Sequence, residues 1–105
     1  MNLTLPTTVV LQALADGHCY GFDVMDVTGL PSGTVYPMLR RLEGEGLVRA
    51  GWEDPAEARQ EQRPPRRYYR LTASGEQLLA AGRARYRMPA RTARARALKT
   101  RPSQS

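Results

Sequence analysis

Gly33-Thr34-Val35-Tyr36-Pro37-Met38-Leu39-Arg40-Arg41-Leu42-Glu43 carries the pattern from which the rest of the chain can be read. Val35, Met38, Leu39 and Leu42 recur at i, i+3, i+4 and i+7, which lines one face of a helix with apolar side chains. Tyr36, Arg40 and Glu43 fall on the opposite face. Ser32 is the expected N-cap, following Leu30-Pro31, and Gly46 the expected stop. Pro37 opposes helix continuation, because its ring meets the carbonyl four residues back. It lies so near the start that the first turn distorts to accept it.

Upstream, residues 6–16 read as a helix with Pro6 at its first position, Val10, Leu11 and Leu14 as its apolar stripe, and Gly17 as its stop. Residues 21–28 form a second, short helix whose buried side is Phe22, Val24 and Met25, ended by Gly29. Downstream, Val48, Ala50 and Trp52 alternate with more polar positions, as in a half-buried strand. Arg67-Tyr68-Tyr69-Arg70-Leu71 is its partner, with Tyr69 and Leu71 facing inward. Residues 54–66 hold Pro55, Pro64 and Pro65 among many charges and read as a long polar hairpin loop. Thr72 caps a last helix over residues 72–88, which carries Leu78, Leu79 and Tyr86 and is stopped or kinked by Pro89. Residues 89–105 hold one large apolar side chain, Leu98, too little to order a segment, so a disordered basic tail is expected there.

The fold class is therefore mainly α with a small β-hairpin, in the order helix, helix, helix, strand, long loop, strand, helix. Two helices joined by a short glycine-containing turn and followed by a hairpin make a winged helix-turn-helix. It fills one domain, residues 1–88, and the tail follows.

Composition narrows the function. The 105 residues carry a net charge of +6, but residues 1–54 sum to −4 and residues 55–105 to +10. That asymmetry points to a polyanion met mainly by the second half. Cys19 is the only cysteine, so there is no internal disulfide, and a reducing, cytoplasmic setting fits best. No apolar run reaches the roughly 18 residues of a membrane span, and the start lacks the basic region of a secretory leader. His18 and Cys19 are adjacent and cannot aim at one ion, and no second His or Cys completes a metal site. Nothing orients them as a nucleophile pair either. No enzyme, metal or cofactor is expected. Whether Cys19 senses redox state depends on an exposure and acidity that sequence does not give.

In a helix-turn-helix the second helix enters a major groove about 12 Å wide and offers its first residues and outer face to base edges. Ser32, Gly33, Thr34, Tyr36, Arg40 and Arg41 are the candidates there. Arg63, Arg66 and Arg67 are the candidates in the hairpin for phosphates or an adjacent minor groove. Tyr20 either packs on the first helix or turns its hydroxyl to a phosphate beside the Gly21 backbone donor. Tyr36 has the same alternatives, packing or contact. The tail arginines (Arg91, Arg94, Arg96 and Arg101) and Lys99 would add sequence-independent contacts.

Four fragments in series carry a resemblance. They are Gly17-His18-Cys19-Tyr20-Gly21-Phe22, the Gly33-to-Glu43 stretch above, Glu45-Gly46-Leu47-Val48, and Arg66-Arg67-Tyr68-Tyr69-Arg70-Leu71-Thr72-Ala73-Ser74-Gly75. Over about residues 5–85 the chain resembles short PadR-type transcriptional regulators, the Tyr-Pro pair inside a helix being the most telling feature. The resemblance implies a homodimer that represses transcription from a near-palindromic double-stranded operator. It implies that the first helix and the last one, residues 72–88, build the dimer interface, with Val10, Leu11, Leu14, Leu78, Leu79 and Tyr86 as its residues. It also implies release by a small aromatic effector. Trp52 then has two readings, core residue or platform for a flat ligand. The competing function is a winged-helix protein-interaction module that leaves DNA alone. That module would carry an acidic or apolar outer face on the third helix, against the Thr34, Tyr36, Arg40 and Arg41 found there.

Overall fold

Thr4 caps α1 (Leu5–Ala15): its hydroxyl accepts from the Thr7 N–H at 3.2 Å, while Pro6 sits where a helix needs no donor. The computed structural model describes residues 2–88, so the expected tail lies outside the described residues. α2 (Gly21–Thr28) and α3 (Ser32–Gly44) follow, then β1 (Val48–Trp52), α4 (Pro55–Gln60), β2 (Arg67–Leu71) and α5 (Ala73–Tyr86). This is the expected winged helix-turn-helix with one added helix. No helix among the described residues is long and apolar enough to cross a membrane.

Three local expectations need correction. Ser32 is the first helical residue of α3 and not its N-cap; its side chain makes no capping bond. The carbonyl of Pro31 does that work, accepting from Thr34 at 2.9 Å and Val35 at 3.0 Å. The expected loop at 54–66 contains α4. Asp54 caps it, its carboxylate accepting from the Ala56 N–H at 2.9 Å, with Pro55 behind the cap and Ala58 wholly buried. Phe22, expected in the core, is 72% exposed. With Val24 facing inward, a residue two positions earlier lies about 200° round the helix, on its far side.

The core is built where α1, α2 and α3 meet the hairpin. Val10, Leu11 and Leu14 of α1, Val24 of α2, Val35, Met38, Leu39 and Leu42 of α3, Val48, Tyr69 and Leu79 form one cluster. Each fully buried aliphatic side chain contributes about 1.5–3 kcal/mol relative to exposure. That placement puts four of the six residues expected at the interface inside the chain's own core. Val10, Leu11, Leu14 and Leu79 are spent on the chain's own interior, because α1 and α5 pack on each other within one chain. Leu78 and Tyr86 stay half-buried, and the Tyr86 hydroxyl donates to the Leu3 carbonyl at 3.0 Å.

β1 and β2 pair antiparallel with Val48 opposite Leu71 and Ala50 opposite Tyr69. Tyr69 is buried and Arg70 exposed, as the alternation requires. At the other end of β1 the alternation fails: Trp52 is 64% exposed and the next residue, Glu53, is buried. Thr72 caps α5, accepting from the Gly75 N–H at 3.1 Å, and Arg87 ends it in the left-handed conformation with φ of 54°.

α5 reaches α1 closely at Gly82, where a Cβ would stand 2.5 Å from Thr8 Oγ1 and 2.7 Å from Thr8 Cγ2. Alanine at position 82 gains helix propensity of up to about 1 kcal/mol but overpacks a buried contact at about 1–3 kcal/mol. We expect Gly82→Ala to destabilise by about 1–2 kcal/mol, and Thr8→Ala to relieve most of that in the double variant. Urea unfolding of the four proteins measures the coupling; strictly additive costs contradict the contact.

Candidate nucleic-acid interface

The α2–α3 corner sets how α3 is presented. Around α3, Val35, Met38, Leu39 and Leu42 point into the core. Gly33, Pro37 and Arg40, spaced i, i+4, i+7, run along the side directly opposite. Ser32, Gly33, Arg40 and Arg41 are exposed, and Thr34 and Pro37 are half-buried. Neither Arg40 nor Arg41 enters an ion pair among the described residues.

Tyr36 sits on the flank. Its ring packs against the core and fills the space over Gly21, where a Cβ would run into Tyr36 Cε1 and lie 2.8 Å from Cζ. Of its two readings, packing describes the ring, and only the edge near the hydroxyl remains for any ligand. Gly21 is buried and serves as the seat for that ring.

Tyr20, half-buried, precedes α2 and forms an isolated antiparallel bridge with Tyr68 of β2. Beside it the Tyr69 N–H donates to the Cys19 carbonyl at 2.7 Å. The chain leading into α2 thus lies along β2 on the side away from β1. Arg66 covers Tyr20, its guanidinium 3.9 Å from the ring centre.

The three hairpin arginines do not stand free. Arg63 grips Glu53 through two bonds, Nη1 to Oε1 at 2.5 Å and Nη2 to Oε2 at 2.8 Å. Its Nε donates to Glu61 at 3.2 Å. Arg66 adds its backbone N–H to Glu53 Oε1 and its Nη2 to Oε2, each at 3.2 Å. Arg67 pairs with Glu43 of α3 at 3.1 Å and lies 5.3 Å over the Trp52 ring. Counting charge along the sequence located these arginines but not their partners. Glu53 is the residue that sequence reading missed. The one signal was its place at the end of β1, where an acid followed the last alternating position.

Hydrogen bonds from Arg63, then those from the Arg66 side chain and backbone, hold the Glu53 carboxyl well below the usual carboxylate range against the upward push of burial. The same contact raises Arg63 above its ordinary value. Trp52, Pro55, Pro64 and Pro65 line an open apolar cleft of about 600 Å³ next to this cluster. Trp52 therefore belongs to the surface of the wing and not to the core. Among the described residues no group of His, Cys, Asp or Glu is placed to hold a metal ion.

Residues 10–81 match the Transcriptional regulator PadR-like family. The chain belongs to that family. A search of curated proteins finds no match. Among solved structures, this PadR-like chain is similar to a PadR-like transcription factor from Bacteroides fragilis, at 28% identity and a TM-score of 0.64, covering 77% of this chain and 79% of that one. A PadR family transcriptional regulator from Eggerthella lenta is similar at 28% identity and a TM-score of 0.59, over 76% and 72% of the two chains. The PcaV transcriptional regulator from Streptomyces coelicolor, solved with its natural ligand, is similar at 27% identity and 0.59, over 94% and 62%. The PadR-like chain is thus a transcriptional regulator and not an enzyme.

The Glu53 cluster predicts an acid-sensitive wing. A carboxylate whose folded pKa is depressed stabilises the fold fully above its unfolded value, about 4.3, and loses that contribution as pH falls toward the folded pKa. The stability difference between the native protein and Glu53→Gln should be constant from about pH 8 to about pH 6 and shrink below about pH 4.3. Urea midpoints across that range test it; a difference unchanged down to about pH 3 contradicts the assignment.

Proposed function

We propose that this PadR-like regulator is a homodimer that binds a near-palindromic double-stranded operator and represses transcription, α3 of each protomer entering a major groove. The observation that carries this reading is the outer side of α3. Its exposed Ser32, Gly33, Arg40 and Arg41 lie away from the four core residues, with Thr34 half-buried between the two sides. Arg is the side chain best suited to a bidentate bond with guanine or phosphate. Tyr20 and Gly21 position α3 and the wing more than they touch DNA in this reading, since both are held against neighbouring elements.

A dimer would set its two reading helices about 34 Å apart, one helical turn of DNA. The surface left for pairing is the outer side of α1 and α5, where Leu5 is 47% exposed and Leu78 and Tyr86 are half-buried. The work of a cytoplasmic repressor also calls for release. PcaV, solved with its natural ligand, supports the idea that a small molecule, here of aromatic or amphipathic type, biases the dimer away from operator spacing.

The double variant Arg40→Ala plus Arg41→Ala tests the reading. Each lost base contact costs about 1–3 kcal/mol, and each lost phosphate contact flattens the log–log salt slope by about 0.9. We expect operator affinity, measured by fluorescence anisotropy on a duplex recovered by genomic footprinting, to fall at least about tenfold. Unchanged affinity with an intact circular dichroism spectrum overturns α3 as the reader. Sedimentation equilibrium tests the dimer, and a monomer binding the full operator contradicts it.

A further inference from the structure

The wing holds Arg63 and Arg66 in an arrangement that solubility does not call for. Glu53, with a side chain only 6% exposed, accepts from Arg63 at both oxygens and from Arg66 through backbone and side chain. A carboxylate gripped in this way presents to arginine the same bidentate geometry that a phosphate would. For DNA to recruit Arg63, a phosphate has to displace a partner already taken out of water. Glu53 would be left buried and short of donors, which is strongly unfavourable. Arg63 is further tied by Glu61 at 3.2 Å.

We propose that Glu53 is a positioning residue that determines specificity: it occupies Arg63 and orients Arg66, so that these two wing arginines add shape to DNA binding without adding free positive charge. The proposal rests on the DNA-binding reading above. Sequence-independent affinity grows with each phosphate neutralised, whereas discrimination comes from base contacts. Withholding arginines from phosphates therefore lowers binding to random DNA while leaving α3's contacts in place. Arg66 is the intermediate case. It is exposed, yet it lies on Tyr20, which is bridged to β2. Its guanidinium is thereby aimed beside the first turn of α2 and not left to sample the surface.

The experiment measures the salt dependence of binding to a random-sequence duplex by anisotropy for the native protein, Glu53→Gln and Arg63→Met. Glu53→Gln keeps the side-chain shape and removes the charge. Its slope should steepen by about 0.9 to about 1.8, one or two added phosphate contacts, with tighter binding at low salt. Arg63→Met should leave the slope at the native value. An Arg63→Met slope flattened by about 0.9 overturns the proposal, because Arg63 would already be on a phosphate. So does an unchanged slope in a folded Glu53→Gln protein. If thermal unfolding shows Glu53→Gln to be misfolded, the Arg63→Met slope decides alone. A native protein with no salt-dependent duplex binding overturns both this proposal and the DNA-binding reading. A native protein that binds, with variant slopes contrary to those expected, removes only the role of Glu53.

Discussion

β2 is the strand on which the other elements depend. On one side it pairs with β1 over five residues. On the other it binds the chain before α2, through the Tyr69-to-Cys19 hydrogen bond and the Tyr20–Tyr68 bridge. Its buried Tyr69 joins the core, and one residue beyond its end Thr72 caps α5. A two-stranded hairpin alone is marginal in water. This one is stable because its second edge is occupied and its inner face is covered by helices. The wing, the start of α2 and α5 are thereby fixed to a single segment of five residues.

From that anchor the presentation of α3 follows by close contacts. Cys19 and Tyr20 place the start of α2, and Gly21 at that start receives the Tyr36 ring. The side chain that fixes the α2–α3 angle therefore comes from α3 itself. Orientation is set on one flank, the core on a second, and the opposite side is left to solvent. A larger residue at position 21 would force the ring out, and α3 would have to turn with it.

The architecture was largely legible because helical periodicity and turn residues act locally. The apolar positions of α3, the Thr72 cap and the inward Tyr69 depend on spacing and chemistry within a few residues. α4 was legible too and was missed: Asp54-Pro55-Ala56-Glu57 has a capping residue, proline at the first helical position and an acid in the first turn, the signature of a helix start. Proline there opposes strand pairing as well as opening a helix, so it does not by itself choose between the two. What sequence could not give was the identity of the surface covering each apolar face. Val10, Leu11, Leu14 and Leu79 have the same pattern whether another element of the same chain or a second chain covers them. Glu53 and Arg63 stand ten positions apart with no shared period, so their pairing is visible only after the hairpin closes.

Net charge is accordingly a poor measure of what the surface offers a polyanion. The chain carries +6, and three of the thirteen basic side chains of its second half are wing arginines that are already paired. There Arg63 and Arg66 meet Glu53, and Arg67 meets Glu43. Arg40 and Arg41, in the half of the sequence that sums to −4, have no such partners among the described residues. Part of the charge of the basic half is thus already committed, while α3, in the acidic half, presents two arginines without ion-pair partners among the described residues. A protein that must find one site among many duplex sequences gains from that division, since charge placed on the reading helix acts where bases can also be read. Charge released from Glu53 onto the wing would strengthen every encounter with DNA by the same factor.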